Sequence, residues 1–290
     1  MIAQIILSGI IFGTIYGLAA LGMVMIYKTS DIVNFGHGEM SMFIAFIAFL
    51  FLNDYGLSYI PAFFLSLVIA AILGGVVYLL FIKPIQFSSH ISIIVLTLGL
   101  YMVFHGLAGM FWGHTPTAFP KAFEGAPYQI GNVFIAPNEI FVLLFTLALM
   151  TGLFLLFRYT KIGLAMRSAS QDMLASELMG IKVTNIFFLT WAVGCVLGGV
   201  AGVLIAPTTF LHPNMMGDVL IMAFAAAVLG GFVSLPGTVI GGIIIGVFGN
   251  LVSYYIGSEL RLVFVFLLIL IILIIRPTGL FGGVQYIKKV

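Results

Sequence analysis

Between Val219 and Ser258 the chain runs for about 40 residues without an Asp, Glu, Lys or Arg. As helix this is roughly 60 Å, about twice the hydrocarbon thickness of a bilayer. One crossing cannot accommodate it, and Ser234-Leu-Pro-Gly237 divides it into two tightly connected segments. Comparable apolar runs fill most of the remaining sequence. Hydrophobic residues make up 62% of it and charged residues 7%, against roughly 45–50% and 25% in a soluble domain. A chain of 290 residues cannot hide that surplus in one water-surrounded core. The expected fold class is therefore all-α: one polytopic membrane domain over residues 1–290, with about 8–9 transmembrane helices, some of them broken.

The expected spans are Ile2–Tyr27, a second beginning inside Asn34–Glu39 and running to Leu52, Ile60–Ile82, Ile91–Trp112, Ile140–Phe157, Ile186–Ala206, the two halves of Val219–Ser258, and Leu262–Ile275. No Lys or Arg precedes Lys28, and the first apolar run is too long for a signal peptide, so it reads as a retained span. Gly113–Glu139 is an expected external loop, with a small hairpin over Tyr128–Ile135 about Gly131-Asn132. Pro207–Asp218 reads as another loop. Orientation follows from basic residues. Lys28, Lys83, Arg158, Lys161, Arg167, Lys182, Arg276, Lys288 and Lys289 share one side, nine of the eleven Lys and Arg. Only Lys121 and Arg261 fall opposite. The expected N-terminus is outside and the C-terminus cytoplasmic.

Two kinds of motif stand out. Gly9, Gly13 and Gly17, then Gly194, Gly198 and Gly202, then Gly242 and Gly246 sit four apart. Such ridges let helix backbones approach closely in lipid, and ordinary packing accounts for most of them. Asn34-Phe-Gly-His-Gly-Glu39 is denser in polar groups than any other stretch beside a span. One reading is an unwound segment at membrane depth, where transporters place substrate contacts. The other is an interfacial connector. On the first reading Asn34, Gly36, His37, Gly38 and Glu39 line a substrate pathway, with backbone groups free to hold a zwitterion. His90, His105, His114 and His212 lack metal-ligand spacing. His105, inside a span, is a functional suspect or hydrogen-bonds a neighbouring helix. Cys195 reads as a buried, inert thiol. No P-loop, HExxH or GxSxG occurs, and Glu39 is the one acid placed to lie within the membrane. These absences exclude an ATPase site in this chain and disfavour an ion-coupled carrier or an enzyme. Net charge of +2 gives no reason to expect nucleic acid.

Arg158–Asn185 is the one long polar interruption with helical character. Ser170 is the expected N-cap of a short helix, Asp172 lies in its first turn, and Gly180 ends it. Leu174, Ala175, Leu178 and Met179 form a narrow apolar stripe. So short a helix is marginal in water and needs something to pack against, either its own membrane domain or a partner.

Three blocks in this order carry a family likeness: GLAALGMVMIYKTSDIVNFGHGEM (Gly17–Met40), GLAMRSASQDMLASELMGI (Gly163–Ile181) and RPTGLFG (Arg276–Gly282). Together they resemble permease subunits of ATP-binding-cassette importers, nearest to the branched-chain amino acid type with a short N-terminus. The resemblance implies a multi-pass plasma (inner) membrane protein. It implies pairing with a second homologous permease subunit and with two cytoplasmic ATP-binding subunits, cargo arriving from an extracytoplasmic substrate-binding protein. It implies no cofactor in this chain, ATP being bound by the partners. Leucine, isoleucine and valine are the commonest cargo; urea and short amides are moved by close relatives. Residues 158–185 resemble the family's coupling loop, with Ala175 and Gly180 matching a loose EAA…G pattern whose strict triplet is absent. Arg167, Asp172, Ala175, Glu177, Leu178 and Gly180 are the expected coupling residues.

Overall fold

The computed structural model describes residues 1–86, 88–131 and 133–282, and of Ile130 the backbone alone. Lys288, Lys289 and Asn132, named above, lie outside the described residues. The helices are α1 (Ile2–Ser30), α2 (His37–Asn53), α3 (Tyr59–Val77), α4 (His90–Trp112), α5 (Pro137–Tyr159), α6 (Lys161–Gln171), α7 (Met173–Leu178), α8 (Val183–Thr209), α9 (Gly217–Gly230), α10 (Leu235–Tyr255) and α11 (Arg261–Ile275). α3 continues through a π-helical turn, Tyr78–Ile82, and a 3-10 turn, Lys83–Ile85. The expected hairpin is present as β1 (Tyr128–Ile130) paired antiparallel with β2 (Val133–Ile135). Among the described residues, six helices are long and apolar enough to cross a bilayer, and α2, α9 and α11 are shorter apolar helices. The chain is thus an all-α polytopic membrane protein.

Local chemistry sets the helix starts. Ser89 Oγ, Thr160 Oγ1 and Ser234 Oγ each accept a hydrogen bond from a backbone N–H in the first turn of α4, α6 and α10, as N-caps do. α5 opens on Pro137, and Glu139 Oε2 accepts from the Ala136 N–H at 2.9 Å.

α1 is the axis of the bundle, buried on nearly every face from Gly9 to Ile26, which is why it is apolar all round rather than striped. Its first half packs antiparallel on α10. A Cβ added at Gly9 or Gly13 would stand 2.7 Å from the Cα of Val247 or Ile243. The glycine ridges of α1 and α10 are therefore two sides of one backbone-to-backbone seam. The α8 ridge divides its work: Gly194 meets Gly22 of α1, while Gly198 and Gly202 meet α2.

One end of the bundle gathers the basic residues. Lys28 Nζ donates to Val233 O at 2.8 Å and lies over the Phe157 ring, and Arg167 lies over the same ring. The segment after α11 docks there too, Leu280 N–H donating to Leu229 O at 2.8 Å. At the opposite end Gln4 makes two hydrogen bonds with the Phe134 backbone, and Thr117 bridges to Leu211.

Candidate functional site

The chain leaves α1 through Asp31, in the left-handed conformation at φ 56° and ψ 24°, and turns back among the helices. Asn34 shapes this reversal. Its Oδ1 accepts the Gly36 N–H at 3.0 Å and its main-chain carbonyl accepts the His37 N–H at 3.2 Å. Two of the backbone amides expected to be free for a ligand are thereby used within the break. α2 then begins at His37, so the second span does start inside the polar stretch. Asn34, His37 and Glu39 are all buried among the helices, while Phe35 between them is 36% exposed. The His37 ring lies between α1 and α8. A Cβ at Gly22 or at Gly198 would approach it to 2.9 Å, so two glycines make its room. Neither ring nitrogen has a hydrogen bond of good geometry.

Glu39 Oε2 lies 3.2 Å from Nδ1 of His105 on α4. The Glu39 side chain is 3% exposed and that of His105 27%. A carboxylate held so far from water requires such a partner. The His105 ring stacks on Tyr101 and faces His114 at 6.5 Å between ring centres. The sequence singled out Glu39 and His105 separately; the packing of α2 on α4 joins them. Gly36 and Gly38 permit close approach on either side. A Cβ at Gly36 would stand 3.1 Å from Thr97 O, and one at Gly38 3.2 Å from the Leu220 side chain of α9. First-turn residues of α2 and α9 thus meet inside the bundle.

α9 departs from expectation. Pro207–Asp218 is not simply a loop: α8 carries Pro207 and continues to Thr209, and α9 already begins at Gly217. Its 14 residues make about 21 Å, short of a full crossing. Asp218, in its first turn, pairs with Arg261 at 3.6 Å, and both lie beside Tyr16, midway along α1. Asp218 is thus a second acid opening a short helix, its side chain 66% exposed where that of Glu39 is 3% exposed.

The polar segment after α5 holds two helices where one was expected. Asp172, not Ser170, caps the second: its Oδ1 accepts the Ala175 N–H at 3.0 Å. Ser170 Oγ instead donates back to Arg167 O within α6, whose last turn occupies the position expected for the cap. Gly180 ends α7 as anticipated. At φ 84° it donates to Glu177 O while Ile181 N–H reaches Ser176 O, a Schellman closure that the left-handed residue makes possible. Ser176 is turned inward, its Oγ 2.8 Å from Ser168 Oγ. Leu174, Ala175, Glu177, Leu178 and Met179 are exposed. Arg167 is half-buried, donating to Arg158 O at 3.3 Å.

A buried bundle in which two short helices meet first turn to first turn, joined to the long spans by irregular backbone, is the architecture of a membrane permease. A family model described as branched-chain amino acid transport system / permease component matches residues 5–274. The high-affinity branched-chain amino acid transport system permease protein LivH of Escherichia coli (strain K12) is 29% identical over 293 residues, covering 96% of this chain and 95% of that protein. The corresponding permease protein BraD of Pseudomonas aeruginosa is 30% identical over 292 residues, with 96% and 95% covered. A probable branched-chain amino acid transport permease protein LivH of Methanocaldococcus jannaschii is 29% identical over 299 residues, with 96% and 92% covered. The chain belongs to this family of permease components, multi-pass plasma-membrane subunits of ATP-binding-cassette transporters. Permeases of this class work with ATPase and binding-protein partners.

Proposed function

We propose that this chain is the membrane-spanning subunit of an importer for branched-chain, hydrophobic amino acids, driven by ATP bound on separate subunits. Its partners are a second homologous permease, two cytoplasmic ATP-binding subunits and an extracytoplasmic substrate-binding protein. The chain carries no cofactor of its own. Family membership supports the cargo, and one structural observation supports the mechanism. Leu174, Leu178 and Met179 of α7 are 71%, 81% and 83% exposed, on a six-residue helix too short to hold itself in water. Caps at both ends fix it, and its apolar stripe faces outward, away from the membrane domain. That is the surface a permease without an ATP site needs in order to receive mechanical work from a docked ATPase. Arg167, Asp172, Ala175, Glu177, Leu178 and Gly180 build or present it. Closing and opening of the ATPase pair would bias the spans between two arrangements.

In this reading the basic end of the bundle is cytoplasmic. Asn34, Gly36, His37, Gly38 and Glu39 line the route on that half of the membrane. Leu178→Asp and Ala175→Arg are expected to abolish cargo-stimulated ATPase activity and uptake by the reconstituted complex while insertion is preserved; normal uptake in both would remove α7 from the coupling path. Orientation is checked with an impermeant thiol reagent, which should reach Lys121→Cys from outside the cell and not Lys83→Cys. Labelled leucine, urea and acetamide, offered in parallel, decide the cargo.

A further inference from the structure

The two halves of the membrane domain are built alike and inverted. α1 to α4 and α8 to α11 each consist of a long helix, an irregular reversal, a short helix, and two more helices. Ser30, Asp31, Gly38 and Glu39 stand at one constant spacing from Thr209, Phe210, Gly217 and Asp218. The first of each set ends a long helix. The second has positive φ, at 56° and 59°, the two non-glycine residues so placed among those described. The last two are a glycine and an acid opening a short helix. Packing repeats as well: α2 lies on α8, α3 and α4, and α9 lies on α1, α10 and α11. Since α1 and α8 run in opposite directions, the repeats are inverted, as in transporters whose binding site lies where the repeats meet.

The acids carry the correspondence into chemistry. Glu39 on α2 pairs with His105 on α4, and Asp218 on α9 pairs with Arg261 on α11. The two pairs differ in state. Glu39 is sealed, whereas the Asp218 side chain is 66% exposed, with 3.6 Å between it and Arg261. That distance is well beyond the roughly 2.7–2.9 Å of a charge-assisted hydrogen bond. Both groups retain capacity for other partners, and Tyr16 adds a hydroxyl beside them. On the same two helices, Leu220, Ile221, Phe224 and Phe266 join Val33 and Phe35 around an apolar cleft of about 180 Å³. A cavity of ~150 Å³ in a protein interior already takes a molecule the size of benzene.

We propose that Asp218 and Arg261 form a second polar station for cargo, the inverted-repeat counterpart of Glu39 and His105. It takes the charged head of an α-amino acid: Arg261 receives the carboxylate and Asp218 the ammonium, their loose mutual pair being exchanged for these two contacts. Net charge is unchanged, so no ion is buried unpaired. The cleft farther along the same two helices receives the aliphatic side chain. The inference rests on the amino-acid reading given above, and it adds Arg261 and Asp218, the latter from a stretch that reads in sequence as a plain loop.

The test uses the complete transporter in proteoliposomes with leucine-loaded binding protein. Uptake by the parent complex by itself tests the cargo reading, and the ratio of variant to parent tests the station. Asp218→Asn and Arg261→Gln are expected to lower uptake at least tenfold with unchanged assembly. Asp218→Glu and Arg261→Lys should retain much of it. The exchanged pair, Asp218→Arg with Arg261→Asp, restores a structural ion pair but presents each charge in the wrong place, so it should remain inactive. In a second arm Asp218→Cys is labelled with an impermeant thiol reagent, Cys195 being buried. Leucine delivered by the binding protein should slow that labelling several-fold. Parent-like uptake by the exchanged pair, or labelling indifferent to cargo, would reduce Asp218 and Arg261 to a structural contact.

Discussion

The reversal after α1 and the reversal after α8 share a backbone plan and differ in almost everything their side chains do. The first is closed: Asn34 ties its own amides together and Glu39 is shut against His105. The second is open, with the Asp218 side chain 66% exposed and Arg261 loosely opposite. The difference teaches that the repeated scaffold fixes where an acid stands, whereas the neighbours decide whether it is sealed. It also shows strain distributed unequally. Asp31 adopts a left-handed conformation that Asp tolerates. Phe210, at φ 59° and ψ 154°, occupies a region almost reserved for glycine.

The largest expected effect separates the glycines of the two reversals. Gly36→Val and Gly38→Val place atoms against Thr97, Tyr101 and Leu220 and should abolish uptake without disturbing assembly. Gly217, with nothing within 4 Å of an added Cβ, should accept alanine with most activity retained. Equal sensitivity at Gly38 and Gly217 would erase the contrast. Next comes stability. His105→Ala leaves a sealed carboxylate unpaired, which costs about 3 kcal/mol. Arg261→Ala removes a loose pair whose acid is 66% exposed and should cost less, about 1 kcal/mol. Thermal unfolding of the purified subunit in detergent ranks the two. The smallest effect concerns the backbone: Phe210→Gly should stabilise by about 1 kcal/mol through relief of strain, and Asp31→Gly by no more than about 0.5 kcal/mol. A larger gain at Asp31 would show that the conformation at Phe210 is not the costlier one.

Much of this was legible in the residues. Among the described residues, uncharged runs located the membrane helices apart from the start of α2, because lipid leaves helices no substitute for apolar length. The density of polar groups in Asn34–Glu39 marked the first reversal, and Gly180 marked the end of α7. Pairing across helices was not legible. Glu39 and His105 are far apart in sequence, and only the packing of α2 on α4 brings them together. Asp172 took the cap from Ser170 because α6 extends to Gln171 and leaves Ser170 inside a helix. The second reversal was not legible because His212, Pro213 and Asn214 read as loop chemistry. The signal was present in the repeated glycine–acid pair, Gly38-Glu39 and Gly217-Asp218, each at the same distance beyond a long apolar run.

The shortness of α9 has a consequence for how the protein is made. Fourteen residues opening on Gly217-Asp218 offer too little apolar length for lipid alone to retain them. The segment is sheathed by α1, α10 and α11, and two of those three emerge from the ribosome after it. α2 waits longer still for α8. Insertion of this chain therefore cannot proceed one helix at a time. The two short helices settle only once those neighbours have been made, α9 after α10 and α11 and α2 after α8.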